Sequence, residues 1–496
     1  MDSTKNNDGT ETTKSGEILH TIIIIVAFLF ILGFKYVPPF TGLTPVSMEV
    51  LGIFIGAIIL WLFVSISWTS MVIIIALMFT PVYTASEVIA GSMGSWVVSF
   101  VMFTSALCYV LKEAGIFRRC AIWILTRKMV SKGPWHFISV LTAAMIFIGA
   151  FVSQLTVFLI FLPIVYEIFN ELGYKKGDKV PALIMICILL FTTFTNFVTP
   201  IAHVMPIMGM ALYTKFTDGL TIGFLEYSTV GIPLCIILVV LVLIFLKVTF
   251  KADFSKMKHL DTDFLLKDYT PMSVTEKIYV AVFVGVVFLW MSPGVLGGVL
   301  PGFAKFIESL GAQTPPMIGI VILSIVRVKG KPIVDVGDML SKGVSWSTFL
   351  IIAATAILGA AITHPDVGIT TWIGGVIAPM LSKLPTIVCV LLLMEVAIIL
   401  TNFASDSVTV TLLTSISIPM ILSGALPGLN AAAMTYLIGQ ASCIGPATAV
   451  GGASAAISAG DGYLDSVTMF KWGMVLSIIS GVVLTVVGYP LANLIM

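Results

Sequence analysis

Charged side chains are scarce in this sequence: Asp, Glu, Lys and Arg make up 10% of its 496 residues, and the formal net charge is +1. A soluble globular chain carries about 25%. Too little charge is present to cover a water-exposed surface, and the near-neutral balance gives no reason to expect a nucleic-acid partner. Cysteine is sparse and scattered: Cys108, Cys120, Cys187, Cys235, Cys389 and Cys443 stand far apart, mostly inside apolar runs, with no disulfide or metal spacing. They read as small core residues. Also missing are a Gly-Lys-Ser/Thr phosphate loop, a His-Glu-x-x-His zinc helix and any soluble domain that could hydrolyse a nucleotide. These absences exclude primary active transport by this chain alone. No polar cluster places a nucleophile beside its base, which argues against an enzyme and leaves no cofactor to assign.

What the sequence does have is apolar length: 58% of it is hydrophobic and its mean hydropathy is +1.10. That composition identifies an all-α polytopic membrane protein whose partner is the lipid bilayer. Its 24 Met and 42 Gly suit packed, interrupted helices better than the alternating strands of a barrel. A polar stretch, 1–19, precedes the apolar run 21–34, which lacks a small-residue cleavage site and reads as a first membrane helix. At about 20 residues per crossing, single spans fall near 48–65, 68–84, 95–111, 222–246, 277–291, 316–328, 346–363 and 473–495.

Four other apolar stretches are too long for one span. The runs 133–170 and 385–424 are interrupted by Ser153-Gln154 and by Thr401-Asn402 through Ser405-Asp406-Ser407. The runs 181–213 and 429–458 are broken by Thr199-Pro200 with Pro206, and by Gly445-Pro446 with Gly451-Gly452. Broken helices are expected only where the freed backbone lines a cavity. The landmarks recur in order: Trp96 and Trp346 are 250 apart, Trp123 and Trp372 249, Ser153 and Ser405 252, Pro200 and Pro446 246. Four matched spacings argue for an internal duplication.

If the two interrupted runs are re-entrant hairpins, the chain makes eleven crossings from a cytoplasmic amino terminus in the cell membrane. On that path 22 of the 26 Lys and Arg face the cytoplasm, and only Lys35, Lys215, Lys305 and Lys383 fall outside. The two halves are then inverted, which is the architecture of secondary transporters with a site at the midplane. The expected division is a polar tail (1–19), scaffold helices with an interfacial helix (20–130), a first hairpin and broken helix in the transport part (131–220), connecting and scaffold helices (221–380), a second hairpin and broken helix in the transport part (381–460), and a last helix (461–496). The amphipathic stretch 116–130 is expected to lie on the cytoplasmic face.

Chemistry is expected at the breaks. Ser153 and Ser405 would stand where a returning half-helix starts, with unpaired N–H groups and the positive dipole end facing the cavity. Hydroxyls and amides of Ser153, Gln154, Ser405 and Ser407 add donors without fixed charge, which suits a carboxylate that must also leave. His203 and Asp406 are ionisable at membrane depth, where a functional role is the default reading. His203 is either a cation facing a bound anion or a neutral donor. A pairing with Asp406 would let the protein supply its own charge balance. Glu167 and Glu395 are expected in structural pairs.

The tip clusters, the Thr199-Pro200-Ile201-Ala202 and Gly445-Pro446-Ala447-Thr448 breaks, and Pro271-Met272-Ser273-Val274-Thr275-Glu276-Lys277 together resemble the divalent anion:sodium symporter family. The likeness to these INDY-type di- and tricarboxylate transporters runs from about Met48 onward. It implies a homodimer in which a scaffold part carries a transport part holding both hairpins, working as an elevator. Members carry Ser-Asn-Thr at each tip, contacting substrate carboxylates; here the tips read Ser153-Gln154-Leu155 and Ser405-Asp406-Ser407. By the same resemblance Thr199, His203 and Thr448 border the substrate, while Ala202 and Ala447 help complete sodium sites. The lost Asn and Thr oxygens point to vestigial ion sites and to the sodium-independent branch. The expected function is exchange of C4 or C5 dicarboxylates such as malate, succinate or 2-oxoglutarate. Sodium- or proton-coupled symport and an anion channel are the alternatives.

Overall fold

The computed structural model describes residues 4–5, 11–12, 14–201, 203–258, 260, 262–267, 270–369, 371–372, 375 and 384–496. Ala202 and Lys383, which the sequence assigns to an ion site and to the outer face, lie outside the described residues. The chain is all-α. Among the described residues the only strands are two short ladders, Thr4–Lys5 with Glu11–Thr12 and Arg327–Val328 with Lys331–Pro332. Among the described residues ten helices are long and apolar enough to cross a membrane, or eleven if one bent pair counts as a span.

Local chemistry sets the helix starts. Thr44, Thr84 and Ser273 each close a capping box with the residue three positions on, Ser47, Glu87 and Glu276, so amide donors at the helix ends are satisfied before the apolar run begins. Several expected spans shift. The 68–84 run is only helical over Trp68–Met78 before a short Ala85–Gly91 helix. The 316–328 run is helix Thr314–Ile325, preceded by Pro301–Ser309 at 84°. Leu310 and Gly311, with φ +73° at the glycine, make that corner. The stretch expected at the membrane interface, 116–130, is helical over Ile116–Leu125, ending five residues earlier than expected.

Burial orders the layers. All of the apolar window within Lys179–Phe197 is buried, against 22% for Val274–Leu296 and 11% for Glu17–Tyr36. A helix that is apolar all round belongs in the middle, so the broken helices form the centre and the poorly buried helices face outward. The first broken helix is Lys179–Phe194 continuing, past an irregular stretch, as Val204–Phe216; the second is Ala431–Ala441 followed by Ala453–Asp461. Each is met by a glycine of the helix that follows it. A Cβ on Gly231 would stand 1.6 Å from the Phe197 carbonyl oxygen, and one on Gly473 would stand 2.5 Å from Ala447 Cα. Only glycine admits backbone that close.

The two interrupted runs fold as hairpins. Helices Pro134–Gly149 and Gln154–Glu171 turn at 150–153, and Thr386–Phe403 and Asp406–Leu422 turn at 404–405. Both open ends of the first hairpin meet one segment: the Trp135 ring lies 5.7 Å from Phe254, and Lys256 Nζ donates to the Gly173 carbonyl at 2.8 Å. In the second, a Cβ on Gly428 would stand 3.3 Å from the Thr386 hydroxyl, so the residues flanking its two arms also converge.

Candidate functional site

Each tip is fastened to the broken helix of its own half, and by an equivalent bond. Thr199 Oγ1 donates to the Ala150 carbonyl, and Thr448 Oγ1 donates to the Asn402 carbonyl. Each threonine also accepts an amide two residues on, from Ile201 at 3.1 Å and Val450 at 3.3 Å. At the first tip His203, buried, places Nε2 2.8 Å from the Gly149 carbonyl; since a carbonyl only accepts, Nε2 carries the proton.

The second tip is fastened more heavily. Buried Asn402 donates through Nδ2 to the carbonyls of Ile398 (2.8 Å) and Ile444 (3.0 Å), and its Oδ1 accepts from the Ala447 amide at 2.8 Å. Thr401 Oγ1 contacts both Asp406 Oδ1 and, at 2.7 Å, the Ser442 carbonyl. Asp406 is therefore bound to a hydroxyl of its own hairpin. No ion pair joins it to His203 among the described residues, and the expected charge couple does not form. Glu167 meets Arg118 at 3.5 Å, whereas Glu395 Oε1 is buried without a hydrogen-bond partner among the described residues. No ion pair of Glu395 is found among the described residues.

Ser153 and Ser405 both occupy the N-cap position of a returning arm. Ser153 Oγ accepts from the Thr156 amide at 3.4 Å and shares a 2.8 Å bond with the Thr156 hydroxyl. Ser405 makes no side-chain cap bond, so its hydroxyl is uncommitted at the helix start. Gln154 is half-buried and Leu155 exposed; Ser407, buried, points Oγ at Met205 Sδ, 3.5 Å away. Ala447 is buried at the second break.

A cavity of about 320 Å³ opens against the first tip. Its walls include Ser153, Leu155 and Thr156 from the tip, Val204 from the broken helix, and Lys112 and Lys342 from elsewhere; none of its lining residues is acidic. None of the second-tip residues lines it. Val204 faces this cavity while the adjacent Met205 touches Ser407, so the start of helix Val204–Phe216 stands between the two tips. The sequence places Asn402 in the second break without giving it a role, and it leaves out Thr156 and the cavity face of helix Trp96–Glu113. That face carries Ser105, Tyr109 and Lys112 at i, i+4 and i+7, a spacing that a search for polar residues on one helical face finds.

Comparison with known proteins follows the same architecture. The chain is 25% identical to an uncharacterized transporter of Methanocaldococcus jannaschii over 339 residues, covering 68% of this chain and 70% of that one. It is 23% identical to the sodium-dependent dicarboxylate transporter SdcS of Staphylococcus saprophyticus over 397 residues, covering 75% and 73%. With the chloroplastic dicarboxylate transporter 2 of Spinacia oleracea it shares 26% identity over 45% of this chain and 36% of the plant protein. In fold it is similar to the YdaH transporter of Alcanivorax borkumensis, with a TM-score of 0.56, 15% identity, and coverage of 82% of this chain and 87% of that one. The family described as the sodium:sulfate symporter transmembrane region matches residues 16–496, and the chain belongs to it, among the divalent anion:sodium symporters.

Proposed function

We propose that the protein is a secondary carrier that exchanges C4 or C5 dicarboxylates without sodium. The observation that carries this reading is the acid-free cavity with Ser153 at a helix start on one wall and Lys112, which has no carboxylate partner among the described residues, on another. Such a space favours a small anion, through the helix dipole and through full cationic charge. The names of the staphylococcal and spinach relatives supply the carboxylate class.

Sodium needs several oxygens free to converge on it. At the first tip the Gly149 and Ala150 carbonyls each already accept a hydrogen bond, from His203 and Thr199, and the imidazole N–H beside them disfavours a cation, which supports sodium independence there. One observation favours sodium- or proton-coupled symport instead: at the second tip Asp406 brings a carboxylate beside Thr401 and the Ser442 carbonyl, and the staphylococcal relative is named as sodium-dependent.

In this reading the hairpins and broken helices travel together as an elevator within a homodimer in the cell membrane, with the amino terminus and the lysine-rich cavity mouth on the cytoplasmic side. The apolar, poorly buried helices Glu17–Tyr36 and Val274–Leu296 are left to lipid and to the second protomer. The test is uptake into proteoliposomes preloaded with dicarboxylate or left empty, in sodium or choline. Uptake that requires internal dicarboxylate and ignores the cation supports the exchanger. A severalfold sodium stimulation turns the assignment to symport, and rapid uptake into empty vesicles without any coupling ion turns it to a channel.

A further inference from the structure

We propose that helix Trp96–Glu113 supplies a second recognition element for the substrate, with Lys112 holding the carboxylate that lies farther from the first tip. The proposal rests on the carrier reading and adds to it a residue outside the tips and breaks.

Ser105, Tyr109 and Lys112 share one helical face and line the cavity across from Ser153 and Thr156. From Ser105 to Lys112 the helix rises about 10 Å, a span that a short dicarboxylate and a flexible lysine stem bridge together. Of the two lysines at this cavity, Lys342 is already answered by Asp338 at 3.1 Å. Lys112 is exposed and has no carboxylate partner among the described residues, so its charge is available to a ligand.

The inner end of the same face gives an independent sign of a polar occupant. Thr104, 1% exposed, has a hydroxyl with no hydrogen-bond partner among the described residues. It lines a small void with His203 that shares Val101, Ser105 and Val204 with the main cavity. A buried hydroxyl left unpaired is costly unless something polar reaches it. Helix Trp96–Glu113 thus presents a donor at the inner end, hydroxyls along its length and a cation at the mouth, facing a helix start that favours anions.

The cavity joins two parts that the carrier reading sets in relative motion. Ser153 and Thr156 ride on the hairpin, whereas Lys112 belongs to a helix of the expected scaffold. The Lys112 contact therefore exists only while the tip faces this cavity. Lys112 strengthens binding on one face of the membrane alone and selects for a second carboxylate there.

The experiment uses the full chain in proteoliposomes of known orientation and measures half-saturation from each face for succinate, with propionate as the one-carboxylate competitor. Lys112→Gln should raise the half-saturating succinate concentration about tenfold or more on the cavity face, leave the other face unchanged, and leave inhibition by propionate unchanged. Lys112→Arg should recover part of the loss. An unchanged succinate value, an equal loss for propionate, or an equal loss on both faces overturns the proposal. If the wild-type chain exchanges nothing, the carrier reading falls on its own. Calorimetric binding of succinate against propionate to wild type and Lys112→Gln then decides the site, and equal succinate affinity in the two proteins overturns it.

Discussion

Replacing Asn402 with leucine, a side chain of similar size, should release the second tip without opening a cavity. Asn402 makes three side-chain bonds, but they are not equivalent. The Ile398 carbonyl keeps its helical bond, whereas the Ile444 carbonyl and the Ala447 amide sit in a buried break, where the substitution leaves both orphaned. A buried polar group left unpaired costs about 1 to 3 kcal/mol, so the local penalty is about 2 to 6 kcal/mol. At about 1.4 kcal/mol per tenfold, amide protection in segments 399–407 and 442–450 should fall by roughly one to four powers of ten, limited by global unfolding. Hydrogen exchange read by mass spectrometry in nanodiscs measures this directly. Exchange equal to wild type in those segments, or a loss spread evenly along the chain, would refute the clamp.

Three further outcomes are expected. Ser153→Ala should raise the half-saturating dicarboxylate concentration by about one to two powers of ten at normal expression, since a hydrogen bond to a charged group is worth roughly 1.5 to 3 kcal/mol; wild-type affinity would move the site elsewhere. Cysteines introduced at the exposed Lys132 and Lys175 in a background lacking native Cys should react with an impermeant reagent from the same side of the membrane, and labelling from opposite sides would contradict the first hairpin. Asp465 caps helix Ser466–Val483: the Thr468 side chain and the Thr468 amide, the latter at 2.9 Å, hold its carboxyl below the ordinary carboxylate range. A depressed carboxyl stabilises the fold above its unfolded pKa and loses that contribution as pH falls through the folded one. The advantage of wild type over Asp465→Ala in thermal unfolding, about 1 kcal/mol, should therefore shrink in acid, and a gap constant with pH excludes a charged cap.

The hairpins and broken helices were legible because they are written locally. Polar clusters inside apolar runs, Pro200 and Pro446, and spacings near 250 residues each need only the linear sequence. What stayed hidden depends on residues far apart in the chain. Tyr227 donates to the Asn196 carbonyl at 2.5 Å, Gln440 donates to Tyr227, and Tyr436 donates to the Phe197 carbonyl at 3.3 Å. Tyr436 thus satisfies backbone freed at the first break from 239 residues away, and Gln440, 213 residues from Tyr227, holds the tyrosine that satisfies the Asn196 carbonyl. No periodicity announces them. The partner of Asp406 was missed for the opposite reason. Thr401, five residues away, was visible in the same cluster, but opposite charge suggested His203, and the nearer hydroxyl prevailed.

The bonds that close the two tips each use a threonine hydroxyl on one side and a main-chain carbonyl on the other. A carbonyl is supplied by whatever residue stands at that position, so half of each latch is indifferent to mutation. The two copies of the duplicated unit illustrate this: the acceptor is an alanine at 150 and an asparagine at 402, and the latch is the same. Tip side chains outside the latches, such as Leu155 and Ser405, are therefore free to vary without redesigning the joint, whereas Thr199, Thr448 and the Asn402 side chain are not.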